Sequence, residues 1–384
     1  MNNRYVAIGM AVLAALVFCS CNDPGTSRES NPTDAGVDRL GTSASPAPGI
    51  TLRDAAGRRV DLPKPPQRIV AIGNGPYMIL HLLYMFDETR KLLVGYEDRK
   101  KSSAFLPCVD PDISAKKVLQ AYPGPEQVAA LRPDLVIMKG TMEDQMGRSL
   151  SLLGIRTLYL GMETPEQFLR DVDNVGIVLG NRERARKIRG FYTARLNRLE
   201  ERLKGVPDNR RPRCLTVLYT SRGGKRAIQV PAASWMQTIQ MQRAGGKPVW
   251  IDAVRMTDGW TVVNFEQVAA WDPDKIFVIF WHALDPKEVM ASLRKDPQWG
   301  RLRAVRTGEI HAFPGDVFGW DSPEPRWILG MTWLASKIRG QRSGDFSLRD
   351  EVHAFFGTLY NMDERKIDAV IMPSLRAFTE DPHA

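Results

Sequence analysis

One segment of this chain occurs twice. GPEQVAALRPDLVI (residues 124–137) and NFEQVAAWDPDKIFVI (residues 264–279) share the run EQVAA, then a Pro-Asp pair, then an apolar strand-like run. Each copy reads as a helix of one or two turns, starting at Pro125 or after Asn264, then a turn bearing proline, then a buried strand. Duplication of such a unit in equivalent places predicts two lobes of similar construction.

The surroundings of the two copies agree. In the first half, RIVAIG (68–73), LLVGYE (92–97), DLVIMK (134–139) and RTLYLG (156–161) are strand candidates. In the second half they are CLTVLYT (214–220), AIQV (227–230), KIFVIFW (275–281) and EIHAF (309–313). These short β-branched runs, bounded by Gly, Pro and Asp and separated by amphipathic stretches, predict parallel sheets covered by helices. Between the halves, residues 165–206 hold one long helical pattern with no internal proline after Pro165. Thr164, Pro165 and Gln167 form a start signal, Gly205 and Pro207 a stop. Gly180-Asn181 is a possible break into two helices.

The N-terminus reads as an export signal. Arg4 precedes a short apolar run from Val6 to Phe18, and Ser20-Cys21 follow. The run is shorter than the roughly 20 apolar residues that span a bilayer. A small residue before cysteine is the cue for lipoprotein processing, which makes Cys21 the lipidation candidate and residues 1–21 the signal peptide. Residues 22–49, rich in Ser, Pro, Gly, Thr and Asp, predict a disordered tether holding a folded body off the membrane. Of the four cysteines, Cys108 and Cys214 then remain, with no CxxC spacing and their pairing open. The net charge of +9 is widely spread. The tightest basic cluster, Arg182 to Arg189, alternates with Glu183 and apolar positions, which argues against a nucleic-acid partner.

The opening ITLRDAAGRRVDLPKPPQRIVAIG (50–73), the doubled EQVAA…PD segments and the central helix resemble the iron-siderophore, haem and vitamin B12-binding proteins of bacterial ABC importers. The resemblance implies an α/β fold of two Rossmann-like lobes joined by a long α-helix, with a ligand cleft between them. It divides the chain into an N-terminal lobe (50–163), a linking helix (164–206) and a C-terminal lobe (207–340), while a C-terminal helical extension (341–384) departs from the shortest members of the family. It also implies a monomer without a cofactor, tethered to the membrane by its lipid. Such a monomer would hand a metal-chelate ligand to a dimeric permease, docking through a glutamate on each lobe, here Glu126 and Glu266. Helix-dipole stabilisation in the first turn is the alternative reason for an acid at those two places.

Ligands of open α/β sheets gather at the carboxyl ends of the strands. That rule nominates Asn74, Tyr77, Tyr96, Arg99, Lys139, Tyr219, Arg222, Trp281, His282, Trp320 and Asp321. Aromatic rings offer flat contacts to a chelate or macrocycle, and Lys139 and Arg222 suit an anionic ligand. His81, inside the apolar helix pattern ILHLLYMF, reads as structural. No HxxxH spacing points to a bare-metal site. Two enzyme readings, an exported dehydrogenase and an exported hydrolase acting on such chelates or esters, stay open as less favoured alternatives on their motifs. The GNGPYM turn, with an acid at the end of LLVGYE, approaches a dinucleotide fingerprint, but Met78 stands where the third glycine belongs. No GxSxG elbow or HExxH is present. A molybdate- or tungstate-type oxyanion is the alternative ligand.

Overall fold

The computed structural model describes residues 49–99, 105–222, 225–280, 284–339 and 347–379. The expectations for Cys21, the signal and the tether up to Pro48 lie outside the described residues. Pro46–Ala384 gather into one compact unit.

A hairpin of β1 (Ile50–Arg53) and β2 (Arg59–Leu62) opens the described chain. It is fastened to the first lobe where Ala55 N–H donates to the Tyr159 carbonyl at 2.9 Å. The first lobe then holds β3 (Ile69–Ala71), β4 (Leu93–Glu97), β5 (Lys117–Leu119), β6 (Leu135–Lys139) and β7 (Thr157–Leu160). They lie in the order β5-β4-β3-β6-β7, all parallel. Every residue of β3, β6 and β7 is buried, as an unbroken apolar run between two helical layers requires. Val70, Val136 and Met138 pack on one face, and Ile69, Ala71, Leu135 and Ile137 on the other.

The second lobe holds β8 (Arg213–Arg222), β9 (Lys225–Val230), β10 (Lys247–Pro248), β11 (Thr261–Val263), β12 (Lys275–Phe280) and β13 (Ile310–Ala312). The order is β11-β9-β8-β12-β13, with β10 beside β8. All eight expected strands are present, but this sheet is mixed. β8 pairs antiparallel with β9, and β9 with β11. With Arg222 and Lys225 paired across a two-residue connection, the return has to be antiparallel, because a parallel return needs a long crossover.

The helices that position the site are α1 (Pro76–Leu83), α2 (Pro125–Ala129), α3 (Pro165–Val178), α4 (Arg182–Leu203), α5 (Met236–Arg243), α6 (Phe265–Trp271), α7 (Trp327–Arg339) and α8 (Leu348–Tyr360). The stretch read as one linking helix is therefore two. Gly180 adopts a left-handed φ of 73°, and the Asn181 side chain accepts the Arg184 N–H at 2.8 Å to start α4. α3 packs back along α4, whose 22 residues, at about 1.5 Å each, reach ~33 Å from one lobe to the other. Cys108 and Cys214 are not joined in a disulfide.

Candidate functional site

The carboxyl ends of the first sheet are held together by one buried acid. Glu97, the last residue of β4, is wholly buried. It accepts the Gly73 N–H at 2.7 Å, the Tyr122 N–H at 3.1 Å and the Arg99 Nε–H at 2.7 Å. Arg99 in turn donates to the Gly73 carbonyl at 3.1 Å and to the Tyr122 hydroxyl at 3.2 Å, with its guanidinium 4.1 Å from the centre of that ring. Three strand-end loops are thus stapled to one pair. Gly73 has a φ of 102°, and a Cβ there would come within 2.8 Å of Met142, so only glycine fits the turn. The same Glu97 that completed a near-dinucleotide pattern in the sequence is engaged with this turn. Its role as a staple was missed; an acid closing the apolar run LLVGYE was the available signal.

Lys139, at the end of β6, is buried, with its ammonium paired to Glu163 just beyond β7 and 3.6 Å from Met78 Sδ. Both cations nominated on this wall therefore have carboxylate partners. Asn74 is half-buried between Gly73 and Gly75, two glycines of positive φ. Tyr96 is buried in the core beside β3.

The opposing wall is the loop between β13 and α7. Phe318 from this loop meets Tyr77 of α1, with ring centres 4.0 Å apart. Burial pushes the Tyr77 hydroxyl pKa well up, with Asp321, Glu324 and Glu163 adding to it and Arg99 opposing. Tyr77 thus lies where the strand ends of the two lobes face each other. Asp321 is buried, with Gln237 Nε2 at 3.4 Å and the Ser322 side chain as a further hydrogen-bond partner, and burial raises its pKa to about 6. Trp320 has no exposed surface; its indole N–H donates to Asp316 at 3.0 Å, so its ring supports the loop from beneath. Tyr219 is likewise buried in the core. The Arg222 side chain, Trp281 and His282 lie outside the described residues.

Below Tyr77 lies a sealed charge cluster that sequence reasoning did not assemble. Arg326 bonds Asp316 at 2.7 Å and Glu324 at 2.7 Å, and its Nη1 is 3.1 Å from His81 Nδ1. All four side chains are buried. Burial pulls the His81 pKa down to about 4 and leaves it neutral at physiological pH.

Glu126 and Glu266 stand exposed in the first turns of α2 and α6. Gln127 accepts the Gly124 N–H at 2.9 Å and Gln267 accepts the Asn264 N–H at 3.0 Å, so both copies of EQVAA are capped alike. Neither glutamate makes an ion pair among the described residues. A groove of about 980 Å³ runs elsewhere, along the second half of α4 beside Glu166 and Arg243. It is not at the strand ends. Among the described residues no group of three or more His, Cys, Asp or Glu is placed to hold a metal ion. No helix of the described residues is long and apolar enough to cross a membrane.

The model of a family described as periplasmic binding protein matches residues 109–317. No curated protein matches the chain in sequence. Among solved structures, a periplasmic solute binding protein from Veillonella parvula DSM 2008 superposes with a TM-score of 0.69 at 21% identity, over 88% of this chain and 100% of that one. The molybdate periplasmic binding protein MolA of Haemophilus influenzae, bound to molybdate, gives 0.64 at 18%, over 82% and 98%. CeuE of Helicobacter pylori, in a Ni-His complex, gives 0.64 at 16%, over 84% and 99%. At these identities the likeness establishes the two-lobed fold.

Proposed function

We propose that this chain, which belongs to the periplasmic binding protein family, captures a metal chelate (a ferric siderophore, haem or a corrinoid) and delivers it to the permease of an ABC importer. The family is one of exported transport proteins that bind small ligands, not a family of enzymes. The observation that carries the finer reading is the Tyr77–Phe318 contact between the strand ends of the two lobes. The half-buried Tyr77 ring, backed by the buried Phe318, suits the face of a chelate or macrocycle.

An oxyanion such as the molybdate of the Haemophilus influenzae protein is the second reading. Among the described strand-end cations it would have to displace Glu163 from Lys139, or Glu97 from Arg99. A charge already neutralised by a neighbouring carboxylate gives an incoming anion little net attraction. The chelate is therefore favoured.

Docking is assigned to Glu126 and Glu266, one per lobe, exposed and free of ion pairs among the described residues. Rim charges of this kind steer encounter and fix orientation. Cys21 is assigned as the lipid anchor and the chain acts as a monomer. Two measurements test the proposal. Native mass spectrometry of the protein from its own compartment should retain a chelate, and calorimetry should rank ferric siderophores, haem or cobalamin above molybdate. Tighter binding of molybdate than of every chelate would sink the ligand assignment. Reversing Glu126 and Glu266 together to Lys should abolish uptake at nearly unchanged ligand affinity; undiminished uptake would return both to the helix-dipole explanation.

A further inference from the structure

The lobes are joined a second time, at the end of the chain. α7 belongs to the second lobe, yet α8, which follows it, bonds to the first. The Tyr360 hydroxyl donates to the His81 carbonyl of α1 at 3.0 Å. Arg184, at the start of α4, donates to Thr358 and Leu359 carbonyls at 3.0 and 2.5 Å, and to the Met85 carbonyl at 2.7 Å. Asn361 donates to Asp87 at 3.2 Å. The end of α8 is therefore gripped by α1, by the turn that follows it and by the start of α4.

Arg326 lies between this grip and the second lobe. Its charge partners Asp316 and Glu324 are in the loop of the second lobe, and its Nη1 meets His81 of the first. Its guanidinium is 4.5 Å from the centre of the Phe105 ring in the first lobe and 5.2 Å from that of Phe356 in α8. Phe105 also packs edge-on against Tyr360 at 5.0 Å. Loop, first lobe and α8 thus converge on one side chain with no exposed surface. Pro325 of the same loop accepts the Tyr192 hydroxyl of α4 at 2.6 Å. Separating the lobes would strip Glu324 of His81 and bring bulk water to side chains that otherwise have next to no exposed surface.

We propose that α8 is a strap that fastens the 313–326 loop of the second lobe to α1 of the first, with Arg326 as the buried rivet. Two connections, α4 and the strap, then hold the cleft walls, and Tyr77 stays opposite Phe318 with or without ligand. The inference concerns the cleft that the transport reading uses, but its test needs no ligand and no transport, so either can fail alone.

Hydrogen exchange followed by mass spectrometry on the full chain reads the strap directly. In the unmodified protein, amides of 76–86, 313–330 and 348–360 should exchange together, as one cooperative unit. The double substitution Arg184→Met with Tyr360→Phe loosens the strap without touching the rivet. It should raise exchange in 313–330, in the other lobe, at least tenfold, while β6 and β12 stay protected. Arg326→Met should do the same from the other end; if it fails to fold, the strap variant decides alone. Acceleration confined to 348–360, with 313–330 unchanged, would show α8 to be packing on the first lobe and overturn the proposal.

Discussion

The two lobes share a scaffold and differ in the walls they give the cleft. Both copies of EQVAA form a capped helix that leads through a Pro-Asp turn into a central strand, β6 or β12. The walls beyond those strands are unlike. The first lobe closes its strand ends with short loops stapled by Glu97 and Arg99, and keeps Lys139 paired with Glu163. The second gives one long loop, carrying Phe318 over a buried layer of Trp320, Asp316 and Arg326. Duplicated backbone thus sets where the strand ends and the exposed Glu126 and Glu266 stand. Undoubled loop residues decide what the cleft can touch.

If the first wall depends on its staple, its two carboxylates should differ sharply. Glu97 is wholly buried and holds three loops, whereas the Glu163 side chain is 40% exposed. Glu97→Gln leaves the Arg99 guanidinium short of its charge partner and is expected to cost about 3–5 kcal/mol. Glu163→Gln leaves the buried Lys139 ammonium an amide oxygen in place of a carboxylate and breaks no loop staple, so it should cost less, about 1–3 kcal/mol. Urea unfolding of both variants checks this, and equal losses would show that the wall does not hang on Glu97.

The repeat made the lobes legible because a buried parallel strand must be an unbroken apolar run, and each such run stood out. What escaped was short, or held from far away. β5, β10 and β11 have three residues or fewer, and the β1–β2 hairpin lies inside a stretch rich in Arg and Asp. The strand-end rule brought Tyr77, Lys139 and Arg99 to the cleft, but nothing in the spacing pairs Lys139 with Glu163 or Arg99 with Glu97. Trp320 and Tyr219 sit at strand ends with their rings turned into the core. Sequence position gives the level of a residue along its strand; the face and the partner come from packing that local pattern does not encode. The cluster of His81, Asp316, Glu324 and Arg326 joins residues more than two hundred positions apart, and no local signal links them.

A second pair of carboxylates sharpens the contrast in pH. Burial raises both Asp171 and Asp321 from the usual 3.8 to about 6. Asp171 of α3 accepts the N–H groups of Gly161 and Met162 and pairs with Arg170, while Asp321 has Gln237 at 3.4 Å. An acid whose folded pKa is raised holds its proton more tightly folded than unfolded. Its contribution to stability therefore falls as pH rises from about 4 to about 6 and stays lost above that. Asp321→Asn should relieve this, gaining on the order of 2 kcal/mol at pH 7.5 and nothing at pH 4. Asp171→Asn should gain a similar amount between the two pH values but from a lower start, because an amide NH2 cannot accept from Arg170, so its net gain at pH 7.5 should be smaller. Thermal melts of both variants at the two pH values decide; a net gain for Asp171→Asn matching that of Asp321→Asn would erase the distinction between the walls.

The smallest expected effect is the one closest to function. Tyr77 of the first lobe meets Phe318 on the loop of the second, so it reports on both walls at once. Its ring is half-buried, and the contact with Phe318 leaves part of it for a ligand face. Losing a desolvated aromatic contact commonly costs more than about 1 kcal/mol, or roughly fivefold in affinity. Tyr77→Ala should therefore weaken binding of whichever chelate the protein retains by about that factor. Lys139→Ala should leave binding of a neutral chelate unchanged, since Glu163 already answers its charge, and should matter only for an anionic ligand. Trp320→Ala should instead lower stability, because its ring lies under the loop. Calorimetric titration beside thermal melts separates the outcomes. If Tyr77→Ala bound as tightly as the unmodified protein at equal stability, the ligand would sit away from the meeting point of the two walls, and the site assignment would fail while family membership stood.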